Sequence, residues 1–94
     1  MFEIDVQEEG RIRLKGRLDA AQAEQAIEIL RKMPGPIHAD CSELEYISSA
    51  GIGVLVETHK RLLEQGSGLT LSALTPRVRN VFTYAGLHRF LLIE

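Results

Sequence analysis

Apolar and polar residues alternate at the start of the chain. Phe2, Ile4 and Val6 are separated by polar neighbours, and so are Ile12 and Leu14. A period of two predicts two half-buried strands. Glu8-Glu9-Gly10 between them reads as a turn, so the strands pair as a hairpin. Arg11, Arg13 and Lys15 then fall on the outer face of the second strand. The spacing changes after Leu18. Ala23, Ala26, Ile27 and Leu30 recur at three and four residues, which predicts a helix. Asp19 is its N-cap, with Gln22 at the capping-box spacing. Arg31 and Lys32 suit the negative end of its dipole, and Pro34-Gly35-Pro36 stops it.

Ile37 to Asp40 reads as a short strand, chiefly because it lies between two helices. From about Ala50, Ile52, Leu55, Val56, His59, Leu62 and Leu63 form one apolar stripe, a second helix that Gly66 ends. Leu69, Leu71 and Ala73 alternate as a strand. Thr75-Pro76 starts a third helix on Val78, Val81, Phe82 and Ala85, closed by Gly86. Phe90 to Ile93 reads as a last strand. The order is β-β-α-β-α-β-α-β. It implies an α/β fold with a mixed, mostly parallel sheet and helices packed against it. Partners and ligands of such sheets meet the loops at the carboxyl ends of the strands.

With 94 residues, positions 1–94 make one domain. Apolar residues are 45% and charged residues 26%, ordinary for a globular chain. The net charge is -2. The basic run from Arg11 to Arg17 has no interleaved aromatics, so it reads as a solvated strand face and not a nucleic-acid site. Cys41 is the only cysteine and reads as a packed thiol, which points to a reducing, cytoplasmic setting. The acidic, alternating first residues are unlike a signal peptide, and no apolar run is long enough for membrane insertion. His38, His59 and His88 have no metal-ligand spacing, and His59 falls on the apolar stripe. No Gly-x-Ser-x-Gly elbow is present. These patterns imply no catalysis, no metal and no cofactor.

The stretch "YISSAGIGVLV" concentrates small residues at the start of the second helix. Helix N-termini present free N–H groups and the positive end of the dipole. Ser49 or Ser48 is placed to cap those groups. A phosphate on that hydroxyl would add about -1.5 to -2 charges at an end that accepts them. Asp40, Glu43 and Glu45 would oppose it. Gly51 and Gly53 each cost about 1 kcal/mol relative to alanine in a helix. The cost fits a backbone left open to a partner. Simple capping and tight packing on the sheet explain the same residues.

At these positions the chain resembles a STAS domain of the anti-sigma factor antagonist type. "GRLDAAQA" is similar to the family's G-x-L-D segment. "DCSELEYISSAGIGVLVETHKRL" is similar to its central signature, and "LTLSALTPRVRNVFTYAGLHRFLLI" to its closing strand, helix and strand. The resemblance implies a partner switch without catalysis. The unmodified antagonist binds an anti-sigma factor of the serine-kinase type, phosphorylation at the start of the second helix releases it, and a serine phosphatase resets it. Ser49 matches a family serine, with Ser48 the second choice. Ser48 stands where an aspartate is common, and Ala50 where some members carry the phosphorylated serine. Asp19 and Asp40 align with acidic positions near that site. Asp19, Asp40, Ser48, Ser49, Ala50, Gly51, Ile52 and Gly53 are the expected partner-binding residues. The alternative is a STAS module that is never phosphorylated, serving as a scaffold in a stress-sensing complex or as an accessory subunit of a membrane transport ATPase.

Overall fold

A computed structural model describes all residues, 1–94. The elements are β1 (Phe2–Val6), β2 (Arg11–Leu18), α1 (Ala20–Arg31), β3 (Ile37–Ile47), α2 (Ser49–Glu64), β4 (Leu69–Ser72), α3 (Pro76–Tyr84), a 3₁₀ turn (Leu87–Arg89) and β5 (Leu92–Ile93). The sheet runs β1-β2-β3-β4-β5. β1 and β2 are antiparallel, and the remaining pairs are parallel. The mixed, mostly parallel α/β sheet expected from the pattern is therefore present.

The hairpin turn needs its glycine. Glu9 and Gly10 both have positive φ, at 55° and 77°, and Arg11 N–H donates to Glu8 O at 3.1 Å. Two left-handed central residues match the twist of paired strands. β2 to β5 then step across the sheet in chain order, so each right-handed crossover returns its helix to the same face.

That face holds the core. Ile12, Leu14 and Leu18 of β2, Ile37, Ala39, Cys41, Leu44 and Ile47 of β3, and Leu69 and Leu71 of β4 are all buried. They join Ala26 and Leu30 of α1, Val54, Leu55 and Leu62 of α2, and Val78 and Phe82 of α3 in one cluster. His59 is buried beside it. Its Nδ1 accepts from Leu69 N–H at 3.0 Å, and Phe90 meets its ring edge-on at 5.2 Å. Arg61 donates to Leu30 O at 2.8 Å and Met33 O at 3.1 Å, so α2 closes the carbonyl end of α1.

The opposite face of the sheet is polar and pairs its own charges. Arg13 meets Asp40 at 3.3 Å and Glu43 at 3.5 Å, and Lys15 meets Asp5 at 4.0 Å. The outer face of β2 is cationic as its sequence implies, but carboxylates of β1 and β3 offset it.

Two elements differ from expectation. β3 continues past Asp40 to Ile47, so Cys41 lies inside the strand. The register with β2 shifts between Arg13 and Lys15 and again between Gly16 and Arg17. Each shift adds a residue on β3, which spaces Leu44 and Ile47 three apart and hides the period of two. At the other end, Phe90 is not in a strand. Gly86, at φ 74°, leads into the 3₁₀ turn, and only Leu92 and Ile93 pair with β4.

Candidate partner-binding site

Leu18 and Ile47 are paired where β2 and β3 end, and Ser48 N–H donates to Leu18 O at 2.9 Å. The next residues on the two strands are Asp19 and Ser48. Each caps a helix. Asp19 Oδ1 accepts from Gln22 N–H at 3.2 Å, and Ser48 Oγ accepts from Gly51 N–H at 3.2 Å. Two positive helix ends thus open side by side at the carboxyl edge of the sheet.

The structure separates the two serines. Ser48 is half-buried and holds the cap. Ser49 is the first helical residue and is exposed, and its hydroxyl has no hydrogen-bond partner within the protein. Ala50 beside it is exposed, and Ile52 is half-buried against the core.

The two glycines also part company. Gly51 is buried, contrary to an open backbone. A Cβ there would lie 2.7 Å from Leu18 O and 2.8 Å from Ile47 Cγ1 and Leu18 Cγ. Its small size lets α2 approach the sheet, so it supports the site from beneath. Gly53 is exposed, and a Cβ there would meet nothing within 4 Å. It opens a shallow groove of about 390 Å³ between α1 and α2, floored by Ala23, Ile27, Ala50 and Val54 and flanked by Glu24 and Glu57. A second hollow of about 410 Å³ continues it toward Arg31 and Lys60. Arg31 bridges to Glu57 at 3.2 Å along this line.

The structure places Asp40 away from the start of α2. It sits back along β3, on the order of 20 Å from Ile47 at about 3.3 Å per residue. Its carboxylate accepts from Ser42 N–H at 2.9 Å and pairs with Arg13. The Ser42 backbone and hydroxyl, with Arg13 behind them, hold its pKa below the ordinary value of 3.8. Cys41 next to it is fully buried, and burial, with the Asp40 charge adding to it, pushes the thiol up to about 12.

Sequence reading passes over one feature at this edge. Arg17 Cζ lies 4.3 Å from the ring centroid of Tyr46, across the paired ends of β2 and β3. No local motif announces it, because only the register brings the two together. The groove at Gly53 is likewise invisible until α1 and α2 are packed.

The α/β module thus presents a small-residue helix start, an exposed hydroxyl and a shallow groove on one edge. Comparison with known proteins identifies its kind. The family model described as "Mlab, STAS domain" matches residues 3–94. The anti-sigma-B factor antagonist of Listeria monocytogenes serovar 1/2a is 31% identical over 83 residues, 84% of this chain and 73% of that protein. The antagonist of the same description from Listeria innocua serovar 6a matches equally well. The chain belongs to the STAS domain family, in its anti-sigma factor antagonist group.

The fold agrees. A Thermotoga maritima protein described as a candidate anti-sigma factor antagonist superposes with a TM-score of 0.80 at 22% identity, covering 98% of this chain and 84% of its own. The unphosphorylated anti-sigma factor antagonist SpoIIAA gives 0.77 at 21% identity, covering 100% and 88%. The phosphorylated form of SpoIIAA, a Bacillus cell fate determinant, gives 0.72 at 19%, covering 100% and 91%. No helix of the chain is long and apolar enough to cross a membrane.

Proposed function

We propose that this chain is an anti-sigma factor antagonist that binds an anti-sigma factor of the serine-kinase type through the start of α2 and the adjoining groove. It acts as a regulatory binding module, not an enzyme. Phosphorylation of Ser49 ends the complex, and a serine phosphatase restores it. The kinase transfers the γ-phosphoryl group of ATP to Ser49 Oγ; ADP leaves and the hydroxyl proton passes to the kinase or solvent. Water reverses the modification in the phosphatase, giving serine and inorganic phosphate.

One observation carries this reading: the cap and the modifiable hydroxyl are different residues. Ser48 Oγ holds Gly51 N–H, while Ser49 is exposed and idle. A phosphate on Ser49 leaves the cap in place and meets the positive end of a 16-residue helix. The fold tolerates the charge, whereas a partner pressed against Ala50 and Gly53 meets it as a desolvated anion. Ser49→Asp is expected to weaken the complex, and Ser49→Ala to stay bound. Equal affinities in a pull-down with the partner defeat the switch.

Ala50 favours a second reading, since the position modified in some relatives has no hydroxyl here. The chain would then be a STAS scaffold, or an accessory subunit of a stress-sensing complex or a membrane transport ATPase, using the same surface. Incubation with the cognate kinase and ATP separates the two. Phosphate on Ser49 supports the switch, and no phosphate on any serine supports the scaffold.

A further inference from the structure

We propose, resting on the switch reading above, that Arg17 is the cation that receives a phosphate on Ser49, and that it leaves Tyr46 in doing so. Arg17 is exposed and stacks on Tyr46, with its Cζ 4.3 Å from the ring centroid. Arg13 and Lys15, which precede it on the same face of β2, each have a carboxylate partner; Arg17 has none. Its guanidinium is therefore held by a ring alone.

Placement brings it to the site. Arg17 pairs with Tyr46 in register, and Ser48 lies two residues beyond Tyr46 on the neighbouring strand. Two further residues of extended chain add about 6–7 Å, a span that a long side chain can cover. Ser49 follows directly. The charges around Arg17 are Lys15, Glu3 and Glu45, which line one hollow of about 320 Å³ with it. Asp19, on the next position of β2's chain, is committed to Gln22 N–H. Guanidinium and phosphate match in a two-bond, charge-assisted contact, whereas an exposed ring holds a cation weakly. The exchange favours phosphate. Its consequence is a second change on the binding edge, because Tyr46, 36% exposed in the unmodified protein, loses its cover. Phosphorylation then alters the surface at the helix start and on the sheet edge together.

The test uses the full chain with phosphoserine built in at position 49, in a Tyr84→Phe background so that Tyr46 is the one remaining tyrosine of two. Phosphorus NMR follows the second phosphate pKa, ordinarily about 6. We expect it to be about one unit lower with Arg17 than after Arg17→Gln, as an opposite charge nearby dictates. Arg17→Lys keeps part of the shift, since the charge remains. The Tyr46 ring resonances move on phosphorylation with Arg17 present and stay still after Arg17→Gln. Equal phosphate pKa values with and without Arg17→Gln overturn the proposal, and so does a Tyr46 spectrum indifferent to phosphate. Because the phosphoserine is built in, the outcome does not depend on any kinase. A native protein that no kinase modifies defeats the switch reading and leaves this measurement intact.

Discussion

Gly51 and Gly53 differ by two positions, yet replacing each with alanine is expected to move stability in opposite directions. At Gly51 the new Cβ would stand 2.7 Å from Leu18 O and 2.8 Å from two carbons, where carbon contacts settle at about 3.5–4.0 Å. One obstacle is backbone, so α2 must shift outward and strain the 2.9 Å bond from Ser48 N–H to Leu18 O. Overpacking of this kind costs about 1–3 kcal/mol. The helix regains about 1 kcal/mol on losing a glycine. The net for Gly51→Ala is a loss of up to about 2 kcal/mol. Gly53→Ala meets no atom within 4 Å and keeps only the gain, about 1 kcal/mol. Urea unfolding at constant m-value measures both. At about 4–8 °C per kcal/mol, the melting points should separate by roughly 5–25 °C. Two stabilised variants would show that Gly51 is not needed for the approach of α2 to the sheet. Destabilisation by Gly53→Ala would refute the open groove.

His59→Ala strips a buried acceptor from Leu69 N–H and leaves a void beside Phe90, so unfolding free energy should fall by about 2–4 kcal/mol; a loss under 1 kcal/mol contradicts the bond. Arg61→Met keeps the stem but frees the carbonyls of Leu30, in α1, and Met33, just after it, so a loss of about 1–3 kcal/mol is expected, with amide exchange quickened in the last turn of α1. The Cys41 thiol is raised in the folded state, so it binds its proton more tightly there than in the unfolded chain. Stability from this source is complete below pH 9 and declines as pH rises toward about 12, by up to about 4 kcal/mol, and Cys41→Ala should flatten that alkaline limb in a pH series of melts. The same burial keeps Cys41 from reacting with a thiol reagent until the chain unfolds.

Local pattern carried much of this structure. Asp19 as a cap, the apolar stripe through Leu55, His59 and Leu62, and Thr75 before Pro76 all rest on neighbours within a few residues, and all are present. What was hidden depends on register. The two irregularities in β3 break the alternation on which strand reading relies, so "CSELEYI" looks like a loop until it is laid against β2. Ser48 and Ser49 are equally good caps by type. Their roles divide only because Ile47 is the last residue paired with Leu18, which fixes the turn at Ser48. The acidic residue at position 40 looks close to the helix start when the strand is taken as short, and the longer strand carries it away.

On the proposed switch reading, that division of labour lets one short segment serve both stability and docking. Ser48 and Gly51 face inward, the first holding an orphan N–H and the second admitting the sheet. Ser49, Ala50 and Gly53 are exposed, and of these the Ser49 hydroxyl has no hydrogen-bond partner and Gly53 has open space where a side chain would stand. A charge placed on Ser49 therefore acts on whatever is docked there before it acts on the core. Modification at Ser48 would work differently, because a phosphate on Oγ would have to keep or replace the bond to Gly51 N–H and so would couple binding to the integrity of α2. The Ser48 hydroxyl is tied to the fold and the Ser49 hydroxyl is not, and that difference is the ground on which we propose Ser49 as the regulated residue.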